Sequence, residues 1–393
     1  MKRTVYFDHN ATTPVWPEVT QAMEPFWEGL YGNPSSIHQA GTAAAREIKQ
    51  ARRETASLLG VQDESEIIFT SGGTESNNAA LRSALWTQKE SSGLVTTTVE
   101  HSSVLKPVRA LQEEGREVIL VPVSGEGELD LERFQKAVTE KTGLVSVMMA
   151  NNETGVVFPI EEVGKYAHDQ GALFHVDAVQ AVGKIPFSIK SLPIDFLSLS
   201  AHKLGGPKGV GVLYVRKGIP FRPLLFGGGQ ERGRRAGTEN VPGIIGLGAA
   251  CRRLQRGLAE EVVKMKKLRD YFEEEILHSI PKVQVNGNRG NRLPNTSNLT
   301  FEEVDSEALL ILLDQEGVYA SSGSACISGA PEPSHVLKAM GFSNERARSS
   351  VRFSFGPENT LEEVEFATGL IERLVKRLRE IELKEQHPHS LIQ

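Results

Sequence analysis

Seven short apolar runs, separated by amphipathic segments, dominate the sequence between residues 66 and 215. The runs are IIFT (67–70), LVTTTV (94–99), VILVPV (118–123), LVSVMM (144–149), LFHVDA (173–178), FLSLSA (196–201) and VGVLYV (210–215). Segments such as TESNNAALRSAL (74–85) and IEEVGKYAHDQG (160–171) have the apolar spacing of helices. Strands of this kind that alternate with helices are typical of a largely parallel sheet covered on both faces. We therefore predict an α/β fold with a mostly parallel, seven-stranded sheet.

A smaller α+β domain is predicted after a charged, helical stretch at about 254–280. Its predicted elements are a strand at 295–301, a helix at 306–317, a strand at 351–355 and a final helix from about Leu361. A chain of 393 residues is long enough for two domains. We predict that the large domain comprises residues 15–258, and that residues 1–14 and 259–393 form the small domain.

The composition excludes several classes of protein. Forty-four basic and 50 acidic residues give a net charge of −6, which argues against a nucleic-acid partner. No apolar run approaches the roughly 18 residues that span a bilayer, and no apolar segment follows the first basic residues as in a signal peptide. Two cysteines cannot form a disulfide framework, which favours a reducing compartment. We predict a cytoplasmic protein without a membrane contact or a metal site.

The first of four polar strand ends is FTSGGTESNN (69–78), where a strand leads through two glycines into a helix. Functional residues of open α/β sheets gather at the carboxyl ends of strands. Glycines allow backbone N–H groups to approach an anion, and a helix N-terminus adds a positive dipole. Gly73 and Thr74 are therefore predicted to form a phosphate cradle, although glycines and an N-cap are also common in plain turns.

The other three strand ends carry Asp177, His101 and the group Ser200, His202 and Lys203. A carboxylate at the end of an apolar strand is costly to bury alone, so Asp177 requires a partner, and a structural ion pair is the alternative. A lysine desolvated at a strand end has a lowered pKa and can form a Schiff base, whereas most lysines are solvated. A lone histidine is usually only a hydrogen-bonding group. Together, a phosphate cradle, a carboxylate for a pyridinium nitrogen and a Schiff-base lysine indicate pyridoxal 5'-phosphate.

The sequence also resembles the cysteine desulfurases of the NifS/IscS type, within the class V aminotransferase superfamily of pyridoxal-phosphate enzymes. The motifs that carry the resemblance are YFDHNATTP (6–14), YGNPSSIH (31–38), TSGGTESNN (70–78), EHSSV (100–104), NNETG (151–155), HVDAVQ (175–180), SAHKLGGPKGVG (200–211), GGGQERGRRAGTEN (227–240), SSGSAC (321–326) and VRFSFG (351–356). They appear in the family's order over nearly the whole chain. The resemblance implies the type I fold of pyridoxal-phosphate-dependent transferases.

The resemblance also implies roles for the residues that would hold the cofactor. Lys203 matches the Schiff-base lysine, and Asp177 matches the partner of the pyridine nitrogen. His101 matches the imidazole that stacks on the ring and acts as an acid or base, and Gln180 matches the donor to the phenolic oxygen. The phosphate contacts correspond to Thr74, Ser200 and His202, with Thr238 supplied by the second subunit of a homodimer.

Asn152 and Arg352 match the residues that hold the substrate carboxylate, and Asn152 is also expected beside the cofactor. The pattern of SVRFSF gives independent support for Arg352, because Val351 and Phe353 would share one strand face while Arg352 occupies the other. A guanidinium binds a carboxylate in a bidentate manner. A surface salt bridge is the alternative for an arginine in this position.

Cys326 lies in SSGSACISGAPEP (321–333), a stretch whose Ser, Gly and Pro composition predicts a mobile, exposed loop. The resemblance makes Cys326 the catalytic cysteine, which as a thiolate would attack the substrate sulfur. The other cysteine, Cys251 in GLGAACRRLQ, is predicted to be a buried structural thiol in a helix.

The resemblance thus implies an enzyme that converts L-cysteine to L-alanine. The sulfur would pass to Cys326 as a persulfide and then to an acceptor protein such as an iron–sulfur scaffold. A selenocysteine lyase or another class V enzyme, such as a kynureninase-like hydrolase, is the alternative within enzymes. A structural subunit without activity is the alternative outside them. The sequence does not name the acceptor, since iron–sulfur assembly, tRNA thiolation and cofactor biosynthesis all fit.

Overall fold

The computed structural model describes residues 4–88, 92–322 and 333–386. Within these ranges the chain forms twelve β-strands and twelve α-helices. The strands are β1 (Val5–Tyr6), β2 (Ile67–Thr70), β3 (Gly93–Thr97), β4 (Val118–Val121), β5 (Thr142–Met148), β6 (Leu173–Asp177), β7 (Phe196–Ser200), β8 (Gly211–Val215), β9 (Val283–Val285), β10 (Thr296–Phe301), β11 (Val318–Tyr319) and β12 (Ser350–Ser354). The helices are α1 (Pro17–Met23), α2 (Pro25–Glu28), α3 (Gln39–Leu59), α4 (Gly73–Thr87), α5 (Ser102–Glu113), α6 (Leu131–Ala137), α7 (Ile160–Asp169), α8 (Val241–Ser279), α9 (Ser306–Gln315), α10 (His335–Ala339), α11 (Asn344–Arg348) and α12 (Leu361–Gln386).

The central sheet has seven strands in the order β2-β8-β7-β6-β5-β3-β4. Its strands coincide with the seven apolar runs of the sequence, so the predicted sheet is confirmed. Strands β3 to β7 pair in parallel, whereas β8 is antiparallel to both β7 and β2. Only residues 201–210 separate β7 from β8, which is too short for a helical crossover. Strand β8 therefore returns as a hairpin partner, and the sheet is mostly rather than entirely parallel.

The strands of the sheet are apolar on both faces because a separate apolar layer covers each face. Ile67 and Phe69 of β2 pack into a layer that includes residues of α3, α7 and the first half of α8. Ile68, which points the other way, packs with residues of α4 and α5. This alternation explains why the runs read as continuously hydrophobic in the sequence. None of the helices in the described ranges is long and apolar enough to cross a membrane.

A further apolar cluster, which we call the small core, lies around the antiparallel sheet β12-β10-β9 and the parallel pair β1-β11. The second half of α8, together with α9 and α12, packs onto it. Val5 and Phe7 are fully buried in this cluster, so the segment before residue 15 joins chain that lies more than 250 residues later. Val351 and Phe353 face this core, as the sequence pattern indicated. The division into domains at residues 14 and 258 stays a prediction.

Helix α8 begins at Val241, well before the charged stretch at 254–280 from which we predicted it. Its first part is rich in glycine and alanine and carries no charge pattern. These small residues allow close contact with α3, since a Cβ added at Gly248 would lie 2.6 Å from Ala51. Cys251 lies in this part of the helix and is fully buried, as predicted. Burial raises the pKa of the Cys251 thiol to about 12, so this thiol is inert.

Candidate active site

Ten of the predicted site residues line one cavity of about 380 Å³ at the carboxyl ends of β2, β3, β5, β6 and β7. They are Gly73, Thr74, His101, Asn152, Asp177, Gln180, Ser200, His202, Lys203 and Arg352. The structure therefore brings together residues that are spread over 280 positions of the sequence. Thr238 does not line this cavity, and Cys326 lies outside the described residues.

Lys203 closes the short 3-10 turn that follows β7. Its Nζ atom donates to the backbone carbonyls of Asn10 and Ala11, at 2.6 and 2.7 Å. Burial and, secondarily, the positive charge of Arg352 lower the pKa of Lys203 to about 8, although Asp8 and Asp177 act in the opposite direction. The amine is thus far less basic than an exposed lysine and better suited to nucleophilic attack.

Asp177 ends β6 and is buried, with neutral hydrogen-bond donors around it. The Nδ2 group of Asn77 donates to Asp177 Oδ2 at 2.7 Å, and the backbone N–H of Val179 donates to Oδ1 at 3.0 Å. The same Asn77 amide also contacts Ser103 Oγ at 2.8 Å. No cationic side chain of the described chain forms an ion pair with Asp177, so the structural ion pair considered above is absent there. Such a carboxylate suits a cationic ligand group in the cavity.

The start of α4, at the end of β2, is the place for which we predicted a phosphate cradle. Gly72 has a φ of +154°, a conformation open almost only to glycine, and no side chain caps the helix. A Cβ at Gly73 would lie 2.8 Å from Val179, so a larger residue would fill the cradle. The free N–H groups of this first turn, with Thr74 and the neighbouring Ser200, suit a phosphate.

Two histidines border the cavity and both have lowered pKa values. His101 caps α5, and its Nδ1 atom accepts from the backbone N–H of Ser103 at 3.1 Å. Loss of water lowers the pKa of His101, Asp177 acts in the opposite direction, and Lys203 adds to the lowering. Burial and the charge of Lys203 also lower the pKa of His202 to about 4, so this ring is neutral at pH 7. Its Nδ1 atom lies 3.1 Å from the hydroxyl of Thr12.

Arg352 enters the cavity from β12 on the face opposite the small core. Its Nη1 group donates to the backbone carbonyl of Asn152 at 3.0 Å, and Nη2 forms an ion pair with Asp8 at 2.7 Å. The buried Nε group has no hydrogen-bond partner in the described chain. An ion pair, the alternative considered from the sequence, is thus present, but its arginine is buried and lines the cavity rather than the protein surface.

Three residues important to this geometry were missed by the sequence reasoning. Asp8 and Asn10 lie in a segment that we interpreted only as part of a family motif, and Asn77 lies inside a helix. Each is polar without any periodic pattern, so its neighbours in the fold alone reveal what it does. The position of Asn77 one turn after Thr74, within a helix otherwise rich in alanine, was the available signal.

The fold and the cavity together define a pyridoxal-phosphate enzyme. An uncapped helix N-terminus fits the phosphate, a buried carboxylate without a cation fits a protonated pyridine nitrogen, and an amine with a lowered pKa fits the Schiff base. A family model described as aminotransferase class-V matches residues 5–366, and the chain belongs to this family. It therefore depends on pyridoxal phosphate, as predicted from the strand ends.

Known proteins similar to this chain narrow the class further. A cysteine desulfurase of Trichormus azollae is 50% identical over 375 residues, which cover 95% of this chain and 94% of that protein. The cysteine desulfurase NifS of Azotobacter vinelandii is 49% identical over 377 residues, 96% of this chain and 94% of that protein. A solved structure of a NifS-like protein has a TM-score of 0.90 and 41% identity, and covers 95% of this chain and all of that one. The resemblance to the NifS type and the predicted fold class are confirmed.

Proposed function

We infer that this chain is a pyridoxal-phosphate-dependent cysteine desulfurase. It converts L-cysteine to L-alanine and passes the sulfur on as a persulfide, for acceptors such as those of iron–sulfur assembly. About half of its residues are identical to those of cysteine desulfurases over nearly the whole chain. The observation that carries the proposal is the meeting of Lys203, Asp177 and Arg352 in one cavity. An amine, an anion and a carboxylate-binding cation are the three groups that an amino acid substrate and this cofactor require.

The cofactor, when bound, supplies an electron sink that stabilises negative charge at the substrate Cα. We propose that Asp177 holds the pyridine nitrogen protonated, with Asn77 and the Val179 N–H keeping the carboxylate in place. Gly73, Thr74, Ser200 and His202 would hold the phosphate. His101 would lie against the ring, and Gln180 would donate to its phenolic oxygen. These roles rest on the family motifs and on the common cavity that these residues line.

Lys203 would bind the cofactor covalently and, once displaced by the substrate, take the proton from the substrate Cα. A pKa of about 8 leaves a useful fraction of the amine unprotonated near neutral pH. Its position is fixed by the carbonyls of Asn10 and Ala11, which accept from Nζ and cannot protonate it. His101 is placed on the same cavity wall and is our candidate for relaying the proton of the attacking thiol.

Arg352 and Asn152 would hold the substrate carboxylate. The guanidinium is fixed on both sides, by Asp8 and by the Asn152 carbonyl, so little entropy is lost when a carboxylate binds. The guanidinium lines the cavity, so its positive charge is placed to attract the substrate carboxylate. The fixed carboxylate then sets the orientation of the Cα–H bond toward Lys203.

Cys326 would be the nucleophile that receives the sulfur. It attacks the substrate sulfur as a thiolate, the C–S bond breaks, and its electron pair stays with the carbon that becomes alanine after protonation. The last described residue before it in the cavity wall is Ser321, whose backbone N–H and carbonyl pair with those of Arg352.

We also propose a homodimer in which Thr238 completes the neighbouring site. Thr238 is exposed and is absent from its own subunit's cavity. The loop that carries it is fixed to its own subunit, because Arg52 contacts the buried Glu231 with two hydrogen bonds of 2.8 and 2.6 Å. A rigid loop with an exposed threonine suits contact with a second copy. The low cysteine content supports the cytoplasm as the compartment.

The function is tested with the purified protein, L-cysteine and a thiol reductant. Wild type should be yellow and should release alanine and sulfide in equal amounts. Lys203→Ala should release neither, because no group remains to bind the cofactor covalently or move the Cα proton. Cys326→Ala should keep the yellow colour but form no protein persulfide, whereas Cys251→Ala should form it normally.

Several outcomes would contradict this assignment. A colourless protein that binds no pyridoxal phosphate would indicate a structural subunit. Turnover of selenocysteine without turnover of cysteine would indicate a selenocysteine lyase. Normal persulfide formation by Cys326→Ala would show that another group accepts the sulfur.

A further inference from the structure

Lys184 is a buried lysine that the mechanism above does not use. It is 4% exposed and lies one turn after Gln180. Its Nζ group donates to the side-chain oxygens of Gln180, at 2.6 Å, and Asn10, at 3.2 Å. Burial, together with repulsion from Lys203 and Arg352, lowers its pKa well below the usual range. No carboxylate of the described chain forms an ion pair with it, so its burial is costly and is not offset by an opposite charge.

The contact with Lys184 fixes the orientation of the Gln180 amide. A carboxamide can present either its oxygen or its nitrogen after a half-turn, and only its partners decide between the two. Lys184 contacts the oxygen of Gln180, while the nitrogen donates to the Asn10 backbone carbonyl at 3.0 Å. An amide nitrogen carries two N–H groups, so one remains for the cavity that Gln180 lines.

Lys184 also fixes the side chain of Asn10. The Asn10 oxygen accepts from Lys184 and, at 3.1 Å, from Asn295. The Asn10 nitrogen is thereby left to donate to the hydroxyl of Thr296, at 2.8 Å, and to the carbonyl of Asn152, at 3.2 Å. Both ends of the Asn10 amide are therefore occupied, and Asn10 in turn receives Lys203 and Gln180 on its backbone carbonyl.

We propose that Lys184 is a positioning residue that makes Gln180 present an N–H group, rather than its oxygen, to the ring oxygen of the cofactor. This inference rests on the proposed function, since it assigns the phenolic oxygen of pyridoxal phosphate to Gln180. If the Gln180 amide were flipped, its oxygen would lie against the Asn10 backbone carbonyl oxygen. The flipped amide would also repel a ring oxygen that carries negative charge. A lysine can prevent the flip because it offers donors to the amide oxygen.

The test measures the equilibrium binding of cofactor to apoprotein for Lys184→Met, Gln180→Leu and the double variant. Each single variant should bind pyridoxal phosphate about tenfold more weakly, the effect of one hydrogen bond to a charged oxygen. The double variant should bind no more weakly than Gln180→Leu alone, because both changes remove the same contact. Binding of 3-deoxypyridoxal phosphate, which lacks the ring oxygen, should change less than twofold in all three.

The controls distinguish an error about Lys184 from an error in the proposed function. Lys190→Met removes an exposed lysine and should bind as wild type does. If wild type binds no pyridoxal phosphate, the proposed function itself is wrong. If Gln180→Leu weakens binding but Lys184→Met does not, the inference about Lys184 is overturned while the function stands. Equal losses for pyridoxal phosphate and the deoxy analogue would also overturn it, because they indicate a general distortion of the site.

If Lys184→Met fails to fold, the comparison of Gln180→Leu with the double variant still decides the test. That variant leaves the Gln180 oxygen buried without a donor, whereas the double variant replaces both polar partners by apolar groups. Gln180→Leu and the double variant should then have the same affinity for pyridoxal phosphate. A further loss in the double variant would show that Lys184 acts independently of Gln180 and would overturn the inference.

Discussion

The Lys203 amine is surrounded by groups that make it a weaker base. Burial and Arg352 lower its pKa to about 8, and its hydrogen-bond partners are backbone carbonyls rather than carboxylates. At pH 7 about a tenth of such amines are neutral, against fewer than about one in a thousand for an ordinary lysine. Burial and Arg352 thus set the basicity of Lys203, whereas the carbonyls of Asn10 and Ala11, which are remote in sequence, hold the amine in place.

This environment predicts how cofactor attachment depends on pH. The neutral amine is the reactive form, so the rate at which apoprotein attaches pyridoxal phosphate should rise with pH and level off above about 8. Arg352→Met should move the midpoint upward, because Arg352 lowers the pKa of Lys203 and restrains Asp8, which raises it. Stopped-flow absorbance over pH 6–10 (a range of about four units around the midpoint) measures both effects.

The matched control for that series is Arg348→Met, which removes an exposed guanidinium from α11. Its midpoint should equal that of wild type. A midpoint near the usual lysine value in wild type, or a downward move in Arg352→Met, would contradict the role given to the buried charges.

At the scale of elements, the cradle depends on the close approach of β8 to the turn before α4. A Cβ at Gly211 would lie 2.6 Å from the Cα of Gly72 and 2.8 Å from the carbonyl oxygen of Leu199. Both of these atoms belong to the backbone, which cannot move aside as a flexible side chain could. The glycine at the start of β8 is therefore required by the turn at Gly72, where we propose the phosphate cradle.

Gly211→Ala should push the turn at Gly72 out of place. We expect a loss of about 1–3 kcal/mol in the free energy of unfolding, typical of overpacking, together with weaker cofactor binding. Gly257→Ala is the control, because Gly257 lies within α8, where an added Cβ comes no closer than 3.5 Å to a neighbouring atom, at the end of Glu261. It should stabilise by up to about 1 kcal/mol. Chemical denaturation measures the free energy of unfolding of both variants, and cofactor titration measures their affinity for the cofactor. If Gly211→Ala changes neither quantity, the close approach is refuted.

The strands were predictable from the sequence because burial on both faces leaves a continuous apolar signal, and the bounds of β2 match the run at 67–70. The strand ends were predictable because chemistry there follows from topology. Lys184 could not be predicted, and Asn77 offered only its place one turn after Thr74, since single polar residues inside helices or turns acquire most of their meaning from contacts across the fold. The early start of α8 was missed because small residues carry no amphipathic pattern.

At the scale of the molecule, the cavity lies where two apolar cores meet. Val5 and Phe7 belong to the small core, and a few residues later Asn10 contacts Lys203 in the turn that follows β7 of the large sheet. Arg352 comes from the small core's sheet and reaches Asn152 in the loop that follows β5 of the large sheet. The site thus exists only when both parts are in place, and the proposed dimer would add a third contribution through Thr238.

Mixed dimers test that third contribution. In a dimer of one Lys203→Ala subunit and one Thr238→Ala subunit, the only functional lysine faces the intact threonine of its neighbour, if Thr238 acts across the interface. Its cofactor affinity should then equal that of wild type, with half the activity per dimer. Tagged subunits purified in sequence provide the sample, and the Thr238→Ala homodimer is the control. An affinity like that homodimer's would place Thr238 in its own subunit's site.

The pairing of β1 with β11 has a consequence for the order of events during translation. Val5 and Tyr6 leave the ribosome long before Val318 and Tyr319, their partners in the parallel pair. Chains emerge at about 5–20 residues per second, so the early segment waits for tens of seconds while the large sheet can already form. Arg352, which also lines the cavity, comes from β12 and leaves the ribosome later still. The complete cavity can therefore form only near the end of synthesis.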